Sequence, residues 1–430
     1  LKPRFYYKII GFVRRLTLIL VWGAMSIPLY PQSGRMKFDH LNMDDGLSES
    51  IVLSIIQDTE GYMWFGTADG LNRYDGYSFT VFRHNAQDSL SLTHNYVQAL
   101  HVDEVGTIWV GTIAGLDWYD REHKQFHRVP LVTAYREAKN EFPIQTIIED
   151  ASHHLWIGTG GGGIFELDVQ YNNSPHPVVT ILHHYTDDPN NPNDLPGMFA
   201  SPQIFDSTGN VWISSLENGV SILNPTTGLF SRILHDPTNP QSLNSNRTRT
   251  ILFDEQGALW IGTEDAGLNR TDVQSMEFKH YEYNSNGTGA LTNNVIRRHY
   301  KDSKGRLWVA TDGGGLLLYH PETDSFEAFR HDATQPASIA SDRSISIYED
   351  RSGTIWIGTW GAGVDRWSPV KDKFINAEPA QSIIKALPNK FVVSFFEDSK
   401  GIFWVGTHGG GALAYDPVTK TSKLYEEQQA

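Results

Sequence analysis

The phrase DTEGYMWFGTADGLNRYD, residues 58–75, returns seven more times along this chain. Later copies begin at Asp103, Asp150, Asp206, Asp254, Asp302, Asp350 and Asp398. Each carries a tryptophan six residues on: Trp64, Trp109, Trp156, Trp212, Trp260, Trp308, Trp356 and Trp404, spaced 45 to 56 residues apart and mostly 48. A tandem repeat of this length narrows the possible folds more than anything else in the sequence. A unit too small to bury its own apolar faces must stack on copies of itself.

The first unit reads as four short strands. Ile51 to Gln57 alternates, and Asp58 to Gly61 makes a turn in which Asp caps backbone N–H groups and Gly takes positive φ. Tyr62 to Gly66 is apolar on both sides, Thr67 to Gly70 turns again, and Leu71 to Tyr74 and Phe79 to Phe82 complete the unit. Four strands per unit and a period near 48 match a β-propeller blade. The fold class is therefore all-β: a propeller of four-stranded blades with eight blade repeats. Either all eight form a single ring, or seven form the ring and the eighth is the first blade of a truncated second ring. In the second case Phe38 to Leu41 would be the strand that closes the seventh blade. The tryptophans belong between neighbouring blades, where a wedge-shaped gap takes a large aromatic. Gly66, with no side chain, leaves room for the next blade. In the third copy His153 stands where the turn glycine usually sits.

Ahead of the repeats, Lys2, Arg4, Lys8, Arg14 and Arg15 precede an uncharged apolar run from Leu16 to Gly34. That layout suits a secretory signal or an uncleaved inner-membrane anchor. Residues 1–35 are therefore expected to be a leader and residues 36–430 the propeller, in a periplasmic or extracytoplasmic location. A net charge of -15 argues against nucleic acid as a partner. The absence of cysteine excludes thiolate nucleophiles, disulfides and cysteine-based metal sites. No GxSxG elbow or HExxH motif occurs, and the Gly-rich stretch at 158–163 lacks the Lys-Ser or Lys-Thr pair of a phosphate loop. The adjacent pairs His153-His154 and His183-His184 would diverge on a strand. The expectation is no cofactor, no metal and no catalytic residue.

With the repeats laid out, FDHLNMDDGLSESIVLSIIQDTEGYMWFGTADGLNRYDGYSFTVFRH, residues 38–84, resembles the opening of the two-component regulator propeller family, and the later copies resemble its successive repeats. The resemblance runs from about residue 36 to the end. It implies the sensor region of a hybrid two-component histidine kinase or a propeller-bearing diguanylate cyclase, with a carbohydrate fragment as ligand. It also implies a downstream membrane signalling module in cis. None of the second propeller, immunoglobulin-like domain, membrane helix or output module that usually follows lies within residues 1–430. The alternative is a secreted carbohydrate-active propeller enzyme, a lyase or hydrolase, or a lectin.

Positions fixed by the repeat build the ring, so variable loop positions are where binding chemistry can sit. The second-to-third-strand turns supply Asp69, Glu264, Asp265, Asp312, Trp360 and His408. Trp360 is expected to stack on a small soluble ligand, with the carboxylates accepting hydroxyl hydrogen bonds. If the ring closes as eight, Glu264, Asp312, Trp360 and His408 fall on one arc of successive blades. A homodimer is a further expected possibility for the partner state.

Overall fold

The computed structural model describes residues 36–131, 142–172, 174–187, 194–285, 289–370, 391–416, 419 and 421–425. The expected leader, and the link 374–390 before the last repeat, lie outside them. Among the described residues the only helical piece is a 3-10 turn at Met43–Asp45, and no helix is long and apolar enough to cross a membrane.

The first blade is an antiparallel meander of Val52–Gln57, Met63–Thr67, Gly70–Tyr74 and Phe79–Phe82, hydrogen-bonded in sequence order. Blades of the same design follow at 97–129, 144–185, 199–233, 248–281 and 296–329. The seventh blade has three strands from its own repeat, Ser344–Glu349, Ile355–Thr359 and Val364–Trp367. Its fourth, outer strand comes from the other end of the chain. Asp39–Leu41 pairs antiparallel with Val364–Trp367, setting Asp39 opposite Arg366 and Leu41 opposite Val364. The ring therefore closes on seven blades, and the closing strand is the one expected from the sequence.

Seven tryptophans fill the seven gaps between blades. Trp64 packs with Val97, Ile108 and Val110 of the second blade, and Trp109 with Ile144 and Leu155 of the third. The series continues through Trp156, Trp212, Trp260 and Trp308. Trp356 of the seventh blade then meets Val52 and Phe65 of the first. Each indole N–H donates to the Asp six residues earlier, Trp64 to Asp58 at 2.8 Å and Trp308 to Asp302 at 2.8 Å. The other oxygen of Asp58 accepts the N–H groups of Glu60, Gly61 and Tyr62. One carboxylate thus fixes the turn and satisfies the buried indole, a hydrogen bond that costs roughly 1–3 kcal/mol if left unmade. Except in the fourth and sixth blades, where Ser214 and Ala310 stand there, a glycine two residues after the tryptophan admits the first strand: a Cβ on Gly66 would lie 2.3 Å from Ser54 Oγ, and one on Gly358 2.2 Å from Ser346 Oγ.

Blades three and four depart from the pattern. Thr159 and Gly160 pair with Ala200 and Phe199, joining the two blades into one sheet. His153 takes the turn glycine's conformation at φ 66°.

A second compact unit begins at Pro369. It holds the eighth repeat as its own four-stranded meander, Val392–Glu397, Phe403–Thr407, Gly411–Asp416 and Thr421–Tyr425. The first of these strands is exposed at every position.

Candidate functional site: the channel of the ring

Every blade's first strand carries one extra residue relative to its partner. The slip lies between Val52 and Ser54 in the first blade, and between Ile296 and Arg298 in the sixth. The extra residues of the seven blades are Leu53, Gln98, Gln145, Gln203, Arg249, Arg297 and Ile345. A bulge of this kind bends the strand and re-aims a side chain. Here all seven line one cavity of about 440 Å³, the channel enclosed by the ring. Its size falls within the range of small-molecule sites, about 300–1,000 Å³. The hydrophobic bulges are confined to the seam between the seventh and first blades, and the other five are polar or cationic.

Of the six residues expected from the sequence to form the site, Trp360 lines this channel. It is 37% exposed, its backbone bridges to Ile51 of the first blade, and the Arg343 guanidinium lies 5.1 Å from its ring centre. Glu264 and Asp312 lie alongside, bound to arginines. Arg249 Nε donates to Glu264, Arg297 reaches Glu264 at 3.2 Å and Asp312 at 3.0 Å, and Arg343 Nε donates to Asp312 at 2.6 Å. The result is a continuous string, Arg249–Glu264–Arg297–Asp312–Arg343–Trp360, across blades five to seven. Burial alone would raise the Asp312 carboxyl, but Arg343 and Arg297 hold it below the usual carboxylate range. Such a carboxylate stays ionised and orients cations, and its oxygens are already engaged.

The other expected residues stand apart from the channel lining. Asp69 accepts from Arg83 at 3.1 Å and from Asn95 at 2.9 Å, and Asp265 from Arg247 at 3.4 Å. His408 sits on the corresponding turn of the eighth repeat, in the second unit, while the blade that follows the seventh in the ring is the first. The arc of four expected from an eight-bladed closure is therefore, within the ring, an arc of three. Arg249 and Arg297 were missed because they sit at bulge positions, which sequence alternation does not reveal.

Among the described residues, two groupings have donors suited to a metal ion: Asp120 with His127 and His176, and Asp150 with His154 and Glu166. In both, the Asp already caps its own turn. Asp120 accepts from the Glu122 N–H at 2.9 Å, and Asp150 from the His154 N–H and the Trp156 indole, each at 3.0 Å.

Comparison with known proteins bears on the repeats. The sequence profile of the family described as "Two component regulator propeller" matches residues 46–69, 91–114, 242–265, 338–361 and 386–409. The chain carries two-component regulator propeller repeats. Each match spans the first two strands of a repeat and the turn after them, so the family signature coincides with the Asp–Trp unit and, for the four matches within the ring, with the channel-lining strand. A 75-residue stretch is 39% identical to Histidine kinase P4 of Formosa agariphila, covering 17% of this chain and 6% of that protein. Among solved structures, the extracellular domain of the putative hybrid two-component system BT3049 from B. thetaiotaomicron superposes with a TM-score of 0.64 at 22% identity. That match covers 92% of this chain and 55% of the other. PorZ, a surface component of the type-IX secretion system of Porphyromonas gingivalis, gives 0.56 at 16% identity, covering 89% of this chain and 59% of the other. At these identities the two structures support the propeller fold alone. The chain spans less than two thirds of each of these relatives.

Proposed function

We propose that this chain is the ligand-sensing, extracytoplasmic propeller of a two-component-type receptor, and that it binds a carbohydrate fragment at the mouth of the ring channel without catalysing a reaction. The family repeats and the likeness to a region of Histidine kinase P4 support the receptor setting, and the leader-like residues 1–35 support export. The observation that carries the site is Trp360. It is a large aromatic, partly exposed at a channel mouth, braced by Arg343 and ringed by polar groups, the arrangement used to stack a sugar ring. A sensor must bind its ligand with different affinity in two states, and the charge string beside Trp360 offers contacts that a ligand can rearrange.

Calorimetry against a panel of oligosaccharides, with the wild-type chain and a Trp360→Ala variant of matched melting temperature, tests the reading. Binding that weakens at least tenfold in the variant is the expected result. A ligand held equally well by Trp360→Ala and Asp312→Ala would place the site elsewhere. Steady turnover of the glycan would replace the sensor with the secreted enzyme.

A further inference from the structure

Three arginines line the channel: Arg249, Arg297 and Arg298. Among the described residues no carboxylate lines it, in a chain whose net charge is -15. Arg249 and Arg297 are paired with Glu264 and Asp312 at the mouth. Arg298 has no hydrogen-bond or ion-pair partner among the described residues. It is open to the channel's solvent while protein encloses it closely enough that burial draws its guanidinium below the usual arginine value.

The sequence around Arg298 shows why it points where it does. In the first, second, third, fifth and seventh blades the residue after the bulge is small, Ser54, Ala99, Thr146, Thr250 or Ser346, and it faces a glycine of the next strand. Those side chains occupy the space in which the glycine's Cβ would otherwise sit: the distances are 2.3 Å at Gly66, 2.5 Å at Gly158, 2.6 Å at Gly262 and 2.2 Å at Gly358. In the sixth blade both members change together. Arg298 faces Ala310, whose Cβ fills that space. The long side chain is left with the channel.

We infer that the channel of the ring is an oxyanion site, in which Arg298 receives the carboxylate or sulfate group of the ligand. This rests on the sensing role proposed above and narrows it to an acidic ligand. A lone guanidinium in a confined, partly desolvated channel lacks the charge-assisted bonds that normally stabilise it, and a carboxylate or sulfate supplies them in the two-pronged geometry that arginine favours. Gln98, Gln145 and Gln203, across the channel on blades two to four, provide amide donors to the remaining oxygens, and no carboxylate among the described lining residues competes with the anion. An acidic sugar would place its charged group on Arg298 and its ring toward Trp360. A free inorganic oxyanion would use Arg298 alone.

The test uses the full chain at low ionic strength, titrated calorimetrically with sodium sulfate, D-glucuronate and D-glucose, and melted with and without each. Wild type is expected to bind both anions and to melt higher in their presence, with glucose giving no Arg298-dependent effect. Arg298→Gln should weaken anion binding at least tenfold and abolish the melting shift. It should melt at least as high as wild type without anions, because an unpaired cation has been removed. The double variant Arg298→Ser/Ala310→Gly copies the Ser–Gly pair of the seventh blade, so it keeps the test open should Arg298→Gln fold poorly. Sulfate binding without glucuronate binding assigns the site to an inorganic oxyanion. The inference is overturned if wild type binds neither anion, or if both variants bind them as wild type does. The carbohydrate reading falls separately, if no oligosaccharide, acidic or neutral, binds in a Trp360-dependent way.

Discussion

At the scale of single residues, the ring is held by a small set of non-covalent contacts used repeatedly, and its exceptions are informative. His299 follows Arg298 and occupies a position filled by Ile55, Leu100, Ile147, Ile251 and Ile347 in other blades. It is buried, neither ring nitrogen has a partner at hydrogen-bonding geometry, and the Ile251 backbone opposes the effect of burial only as a lesser contribution. Burial, with the neighbouring Arg298 charge adding to it, pushes the imidazole down to about 3. A folded value below the ordinary 6.5 means that the unfolded chain takes up the proton first as pH falls. His299 therefore costs nothing in charge above pH 6.5 and progressively destabilises the ring between 6.5 and about 3. His299→Leu should remove one proton's worth of this slope, about 1.4 kcal/mol per pH unit, and raise stability at neutral pH by satisfying the site's apolar surroundings. Urea melts at pH 7, 6 and 5 would show it, and parallel pH profiles for the two proteins would contradict it.

At the scale of elements, the closing strand is three residues long and depends on side chains as much as on its ladder. His40 Nδ1 lies 2.6 Å from Asp365 Oδ1 and Nε2 lies 2.8 Å from the Pro336 carbonyl. Both nitrogens face acceptors, so the imidazolium form can donate twice. The hydrogen bond to Asp365 raises the His40 pKa, with burial opposing it. A raised value gives stability that is fully present below pH 6.5 and is lost as pH climbs through the folded pKa, the opposite sense to His299. Amide exchange of residues 39–41 and 364–367 should therefore quicken as pH rises above that value, beyond the intrinsic base-catalysed increase. In His40→Gln it should be fast, relative to intrinsic rates, at all pH values. Protection unchanged by either would show that the backbone ladder alone holds the seam. Strand count, strand limits and the inter-blade place of the tryptophans were legible in the sequence, because alternation and the Asp–Gly turns report directly on a period of two. The bulges were not. A one-residue slip leaves composition untouched, and with it went Arg249 and Arg297, which meet Glu264 and Asp312.

At the scale of the molecule, the choice between seven and eight blades was open in the sequence because the eighth repeat carries the same Asp398, Trp404 and Gly406 as the others. Repeat identity says what a blade is made of, whereas closure depends on which strand completes the seventh sheet. That is settled by Asp39–Leu41. The eighth sheet exposes Phe395 on its first strand, where the corresponding Ile55, Ile147, Ile251 and Ile347 of the ring are buried. A chain ending at Ser368 should accordingly keep the cooperative melting of the ring and associate less with itself than the full chain. Calorimetry with light scattering would check both. Loss of the cooperative transition on that truncation would mean that the ring needs the eighth repeat to fold.

Closure has a consequence for how the blades can come apart. In an open stack of repeats, a terminal unit detaches once a single interface fails, so such arrays fray from their ends. Here His40 and Asp365, 325 residues apart in sequence, join the two ends of the array, and Trp356 meets Phe65 across the gap. No blade is terminal any longer. Releasing any one of them requires two interfaces to open at once, while the failure of one leaves every blade tethered by the path the other way around. Three residues at the start of the ring thereby convert seven separable contacts into a circuit, and the stability of each interface is underwritten by the other six.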